Sequence, residues 1–200
     1  MLIGKRRLIV AGAAVLAGGT VAAAAAIRKP APEIFTPVAD PATQPISLQS
    51  GDTLVPSAPA RKVTAFNFDD AEGRQHGISE FAGFGVVVNF WATWCPPCVA
   101  ELPALSRLAE LVRSDRILVL PLSVDRGGVA KVDSYFRTNG IKGLQVLVDP
   151  HGEASRLVGA RGLPTTLIID RAGRERARLE GAADWAAGDL VRAVRHYTEA

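Results

Sequence analysis

The sequence predicts a layered α/β domain built on a central mixed β-sheet flanked by helices, behind an N-terminal membrane-type segment. Two patterns carry the fold class. β-branched apolar runs of strand length alternate with stretches of helical periodicity, and a turn near the C-terminus joins the last two strand-like runs into a hairpin. A long uncharged run behind a basic cluster carries the N-terminal assignment.

Taken in order, Gly85–Trp91 (GVVVNFW) is long and apolar enough for a strand buried on both faces. From Cys95 to Arg113, apolar residues at Leu102, Leu105, Leu108, Leu111 and Val112 recur at helical spacing. Ile117–Val124 reads as strand, Val129–Thr138 as helix, Leu144–Val148 as strand, Glu153–Val158 as a short helix and Thr165–Asp170 as strand. Ala172-Gly173 turns that strand into Glu175–Leu179, and Leu190, Val191, Val194 and Tyr197 mark a last amphipathic helix.

With 48% hydrophobic and 22% charged residues, the composition is that of a globular chain rather than a disordered one. The formal charge of +3 comes from residues 1–29, which hold five basic side chains (Lys5, Arg6, Arg7, Arg28, Lys29) and no acidic ones. The remainder carries 18 basic and 20 acidic residues, so nothing in its charge suggests a nucleic-acid partner.

Leu8–Ile27 is free of charge and follows Lys5-Arg6-Arg7. At ~1.5 Å per residue such a helix spans about 30 Å, the depth of a bilayer core. Two readings fit residues 1–29. In one, the segment is a cleaved signal peptide with small residues at Ala22–Ala26; in the other, it is an uncleaved anchor. Length favours the anchor and the Ala/Gly content favours cleavage, and the anchor is the reading preferred here. Both place the body outside the cytoplasm: in the periplasm on a single-pass inner-membrane anchor, or soluble there after cleavage. Residues 30–60 hold seven of the thirteen prolines and read as a semi-extended Pro-rich linker, leaving 61–200 as the folded domain.

The two cysteines, Cys95 and Cys98, stand two residues apart, just after a buried strand and at the start of a helix. There, unpaired N–H groups and the helix dipole favour a thiolate on the first cysteine. Pro96 and Pro97 suit a first helical turn and stiffen the loop. Cys95 is then the expected nucleophile and Cys98 the resolving thiol. A zinc site would need a second ligand pair that the sequence lacks, and a structural bridge across so short a loop would restrain the unfolded chain little.

The segment WATWCPPCVAELPAL, with GLPTTLIID and the turn after it, resembles the membrane-tethered thioredoxin-like reductases of the TlpA/ResA group over about Val63–Tyr197. The closing EGAADWAAGDLVRAV is most similar to the TlpA branch. The resemblance implies a thioredoxin-like fold and a redox-active Cys95–Cys98 disulfide. It also implies a cis-proline segment, Leu163-Pro164, whose backbone at residue 163 meets an extended substrate. Trp94, Pro96 and Pro97 complete the expected substrate surface. Where cytoplasmic thioredoxins carry a buried Asp, this chain has Asn89, which cannot titrate, and Glu101 matches the group's carboxylate. Partial burial would raise its pKa toward the range useful for accepting the Cys98 proton. Pro103 sits inside the same helix, where a kink is expected.

The resemblance further implies electron transfer between proteins with neither bound cofactor nor metal. The substrates would be exposed disulfides, either of copper-site proteins in cytochrome oxidase assembly, the preferred class, or of apocytochromes c. A membrane electron donor upstream would keep the pair reduced. Three other classes are compatible with a thiol pair: a general disulfide-forming oxidase, a thiol peroxidase and a copper-binding chaperone. The peroxidase lacks its P-x-x-x-T-x-x-C context, and the chaperone lacks additional His or Met ligands.

Overall fold

The computed structural model describes residues 44–47 and 53–199. Among them are nine strands: β1 (Ile46–Ser47), β2 (Thr53–Lys62), β3 (Asn67–Asp69), β4 (Gln75–Gly77), β5 (Gly85–Trp91), β6 (Ile117–Ser123), β7 (Leu147–Val148), β8 (Thr165–Ile169) and β9 (Arg174–Glu180). Four α-helices, α1 (Pro96–Leu111), α2 (Gly128–Thr138), α3 (Glu153–Leu157) and α4 (Gly188–Thr198), accompany one mixed sheet of order β1-β2-β9-β8-β5-β6-β7-β3-β4.

The sheet is organised by β5, every residue of which is buried. It runs parallel to β6, pairing Gly85 with Ile117 through Trp91 with Ser123, and antiparallel to β8. Because side chains alternate across a strand, β5 feeds two cores. Val87 and Trp91 pack with Leu102, Leu105 and Leu108 of α1, Val132 and Phe136 of α2 and Val194 of α4. Val86, Val88 and Phe90 face Phe66, Phe68, Leu122 and Ala154 on the other side. Asn89 shares the Val87–Trp91 face and therefore projects toward α1.

The strand–helix alternation expected from the sequence is present, with boundaries moved by a residue or two and several larger differences; Ile46–Ser47, inside the stretch read above as linker, is already strand β1. Thr53–Ala60, read above as the end of the Pro-rich linker, forms most of β2 and pairs with β9. Leu54 is fully buried and anchors it. The register shifts between Pro56 and Arg61, where prolines without N–H groups are tolerated, and Ala58–Pro59 is cis. The strand expected over Leu144–Val148 is reduced to β7, and the β3–β4 hairpin has no counterpart in the sequence reading. Leu111, counted above in the helical stripe, is exposed at the end of α1. Residues 1–29 and most of 30–52 lie outside the described residues, and no helix among the described residues is long and apolar enough to cross a membrane.

Candidate redox site

Cys95 and Cys98 form a disulfide, with Cα atoms 5.3 Å apart. Cys95 is the N-cap residue of α1, Pro96 and Pro97 occupy its first turn, and Cys95 Sγ accepts a hydrogen bond from the Cys98 N–H at 3.4 Å. An N–H directed at that sulfur, at the positive end of a helix, is the arrangement that stabilises a thiolate. Both cysteines are buried, while Trp94, Pro96 and Pro97 are exposed around them.

The loop entering the helix is pinned by Asp125, two residues beyond β6. Its buried carboxylate accepts from the Thr93 N–H at 2.7 Å, the Thr93 hydroxyl at 2.8 Å and the Ser123 hydroxyl at 2.8 Å. Thr93 is thereby tied to the end of the neighbouring strand two residues ahead of Cys95. Sequence reasoning missed Asp125; the one available signal was its place just past the carboxyl end of a parallel strand, where sites in α/β sheets gather.

Glu101 sits one turn beyond Cys98 and is 3% exposed. Its Oε1 accepts from Asn89 Nδ2 at 2.8 Å; its Oε2 accepts from the Ala183 N–H at 3.0 Å and from Trp185 Nε1 at 2.9 Å. Burial pushes its pKa up to about 7, against the opposing pull of the hydrogen bonds from Ala183, Asn89 and Trp185. A cavity of about 550 Å³ between α1 and residues 182–190 borders this carboxyl. Asn89 Nδ2 also donates to Thr166 Oγ1 at 2.9 Å, while Asn89 Oδ1 is buried without a partner. Trp185 was part of the C-terminal stretch that carried the resemblance, but its contact with Glu101 had no local signal.

The Leu163–Pro164 bond is cis. Register places it: Phe90 pairs with Thr165, so one step further sets Trp91 beside Pro164 at the end of the sheet that carries Cys95. The Pro164 carbonyl accepts from the Gly181 N–H at 2.9 Å. Among the described residues, no hydrogen bond engages the backbone of Leu163, which is half-buried. Trp91 is core, stacked on Phe136 with centroids 5.6 Å apart.

A C-x-x-C disulfide at the head of a helix, on a sheet of this topology, defines a thioredoxin-like protein with a dithiol–disulfide site. Residues 59–177, more than half of the chain, match the model of the AhpC/TSA family, and the chain belongs to that family. Among curated relatives it is 31% identical over 116 residues to the thiol-disulfide oxidoreductase ResA of Bacillus thuringiensis subsp. konkukian, and 29% identical over 116 residues to that of Geobacillus thermodenitrificans. Both matches cover 58% of this chain and 66% of the relative, a little under two thirds of its length. A solved thiol:disulfide interchange protein of the thioredoxin family from Chlorobium tepidum is similar with a TM-score of 0.57 at 25% identity, covering 69% of this chain and 96% of that one.

Proposed function

We propose that this chain is an extracytoplasmic thiol–disulfide oxidoreductase that reduces disulfides of partner proteins. The observation that carries the reading is the Cys95–Cys98 disulfide at the head of α1 with a buried carboxyl of pKa about 7 one turn further on. The names of its relatives support it.

The reaction starts from the dithiol. The Cys95 thiolate attacks one sulfur of the partner's disulfide; that bond breaks, and the departing partner sulfur leaves as a thiolate and takes a proton from water. Cys95 is now joined to the partner in a mixed disulfide. Cys98 gives its proton to the Glu101 carboxylate and attacks Cys95 Sγ; the mixed disulfide breaks, and the second partner sulfur leaves as a thiolate that takes a proton from water. Two electrons have passed to the partner, and the chain is left as the Cys95–Cys98 disulfide. The proton on Glu101 leaves through the bordering cavity. A dithiol donor upstream restores the reduced pair by the reverse exchange. Trp94, Pro96 and Pro97 form the contact surface around the sulfurs, and the unengaged backbone at Leu163 pairs with an extended segment of the partner.

The resemblance extends the proposal to an inner-membrane anchor over residues 8–27, with the domain in the periplasm. It also extends it to partners in cytochrome oxidase copper-site assembly or cytochrome c maturation. The ResA names of the curated relatives favour the second class as much as the C-terminal similarity favours the first.

Trapping in the native cell tests this reading. A Cys98→Ser variant should accumulate mixed disulfides through Cys95, and mass spectrometry of the captured proteins names the substrate. Capture by Cys95→Ser and not by Cys98→Ser would reverse the roles of the two sulfurs. Capture by neither would remove the activity.

A further inference from the structure

Beside the cis-proline loop lies a cavity of about 280 Å³ whose wall carries three guanidinium groups, those of Arg126, Arg156 and Arg161, together with His151, Gly162 and Leu163. Among the described residues, no carboxylate lines it. Arg161 is neutralised by Glu180, which accepts from its Nε at 2.9 and 3.0 Å. The other guanidinium groups are not: Arg156 bonds only the His151 carbonyl, at 2.7 Å, and Arg126 has no acidic partner among the described residues. Two of the adjacent carboxylates make their hydrogen bonds elsewhere. Asp125 is committed to Thr93 and Ser123, and Asp149 accepts from the N–H groups of Glu153 and Ser155.

Position gives this charge a use. Val124, also in the wall, follows Ser123, which pairs with Trp91, and Leu163 precedes the proline set beside Trp91 by register. The cavity therefore opens at the sheet end that carries Cys95, next to the free backbone of Leu163. A partner strand laid along Leu163 would pass its flanking residues over Arg126 and Arg156.

The geometry points to a specificity site: the Arg126–Arg156 cavity selects partner proteins whose disulfide is flanked by an acidic segment. This rests on the proposed oxidoreductase activity and names the chemistry of its preferred substrate. Uncompensated charge beside a docking edge acts mainly on the rate of encounter, and its effect fades with salt.

The test uses the full-length chain and three synthetic peptides, each closed by one disulfide and differing only in Glu-rich, Lys-rich or Ser-rich flanks. Reduction by the prereduced protein is followed by acid quenching and mass spectrometry. A Glu-rich peptide with both cysteines replaced by serine is titrated into the oxidised protein by calorimetry. Reduction of the Glu-rich peptide should exceed that of the Ser-rich one by about tenfold at low ionic strength, the ratio collapsing by about 0.5 M salt. The ratio should fall below one in Arg126→Glu/Arg156→Glu; Arg126→Gln alone should lower it and serves if the double variant misfolds. Equal rates for Glu-rich and Lys-rich peptides, or a ratio unmoved by both variants, would overturn the proposal. If no peptide is reduced, Arg126-dependent binding of the cysteine-free peptide sustains the cavity's selectivity while the oxidoreductase reading falls; without such binding the selectivity falls as well.

Discussion

Asn89 and Glu101 meet at 2.8 Å in the protein interior, and the amide offers the carboxyl only its nitrogen while its own oxygen has no partner. That pairing suits an ionised Glu101. Once the carboxyl is protonated, its O–H needs an acceptor, and rotation of the Asn89 side chain by half a turn supplies Oδ1, with the Thr166 hydroxyl free to donate in turn. A buried amide can thus serve both protonation states, where a carboxylate would favour only one.

Replacing Asn89 by Asp should therefore couple two buried carboxyls. Like charges at this distance resist simultaneous ionisation, so the group that titrates near 7 should move alkaline by at least about one unit. Carbon NMR of the side-chain carboxyls, or the pH dependence of Cys98 alkylation, reads the shift. An unmoved midpoint would show that the pair is not electrostatically linked.

Glu101→Gln should slow the resolving step on the order of a hundredfold near neutrality, the usual contribution of a positioned base. It should also flatten the pH dependence of stability. The pKa of Glu101 is raised by folding, so its contribution is fully present below about 4.5 and is lost as pH rises through about 7. The shift corresponds to at most about 3 kcal/mol. Urea unfolding across that window should show the wild type losing more stability than the variant; parallel curves would contradict the assignment.

Asp125→Ala should destabilise the oxidised protein by about 2–3 kcal/mol, since it removes a buried acceptor from the Thr93 and Ser123 donors. In the reduced protein it should also raise the reactivity of Cys95 toward small alkylating agents as the preceding loop loosens. A loss below about 0.5 kcal/mol would mean that water replaces the carboxylate at little cost.

His76 bridges two acids, with Nε2 at 3.0 Å from Asp70 and Nδ1 at 3.0 Å from Glu80. Its pKa lies above the ordinary imidazole value, chiefly through Asp70 and then Glu80. The stability contributed by these pairs is therefore present from above the carboxylate range up to the ordinary imidazole value, fades as pH climbs past the raised one, and is lost again in acid as the carboxylates protonate. Glu80→Gln should lower the His76 midpoint in an NMR titration, and an identical midpoint would exclude the second acid.

The parts of the fold legible in the sequence were those with a period to read. Seven buried residues in β5 announce a strand, and Leu102, Leu105 and Leu108 one helix face. Leu54 was hidden because prolines interrupt its strand, and β3 and β4, with three residues each, are too short to show alternation. In the site, the cysteines were visible by their spacing at the start of a helix, and Glu101, three residues after Cys98, by the resemblance to the TlpA/ResA group. Trp185, 84 positions from Glu101, and Asp125, 32 from Thr93, are joined to them only by folding, and no local pattern anticipates such contacts.

The three tryptophans have an optical consequence. Trp94 is 67% exposed beside the disulfide, whereas Trp185 is wholly buried with its indole N–H on Glu101. A disulfide quenches a neighbouring indole, so the Trp94 emission should brighten as the sulfurs part. That of Trp185 should change with the charge on the carboxyl. Trp91, buried with its N–H unpaired in the same core cluster as both cysteines, shares the redox signal with Trp94. Electron and proton thus acquire separate reporters within one unlabelled chain: Trp185→Phe leaves the redox signal alone, and its difference from the wild type gives the signal of the carboxyl.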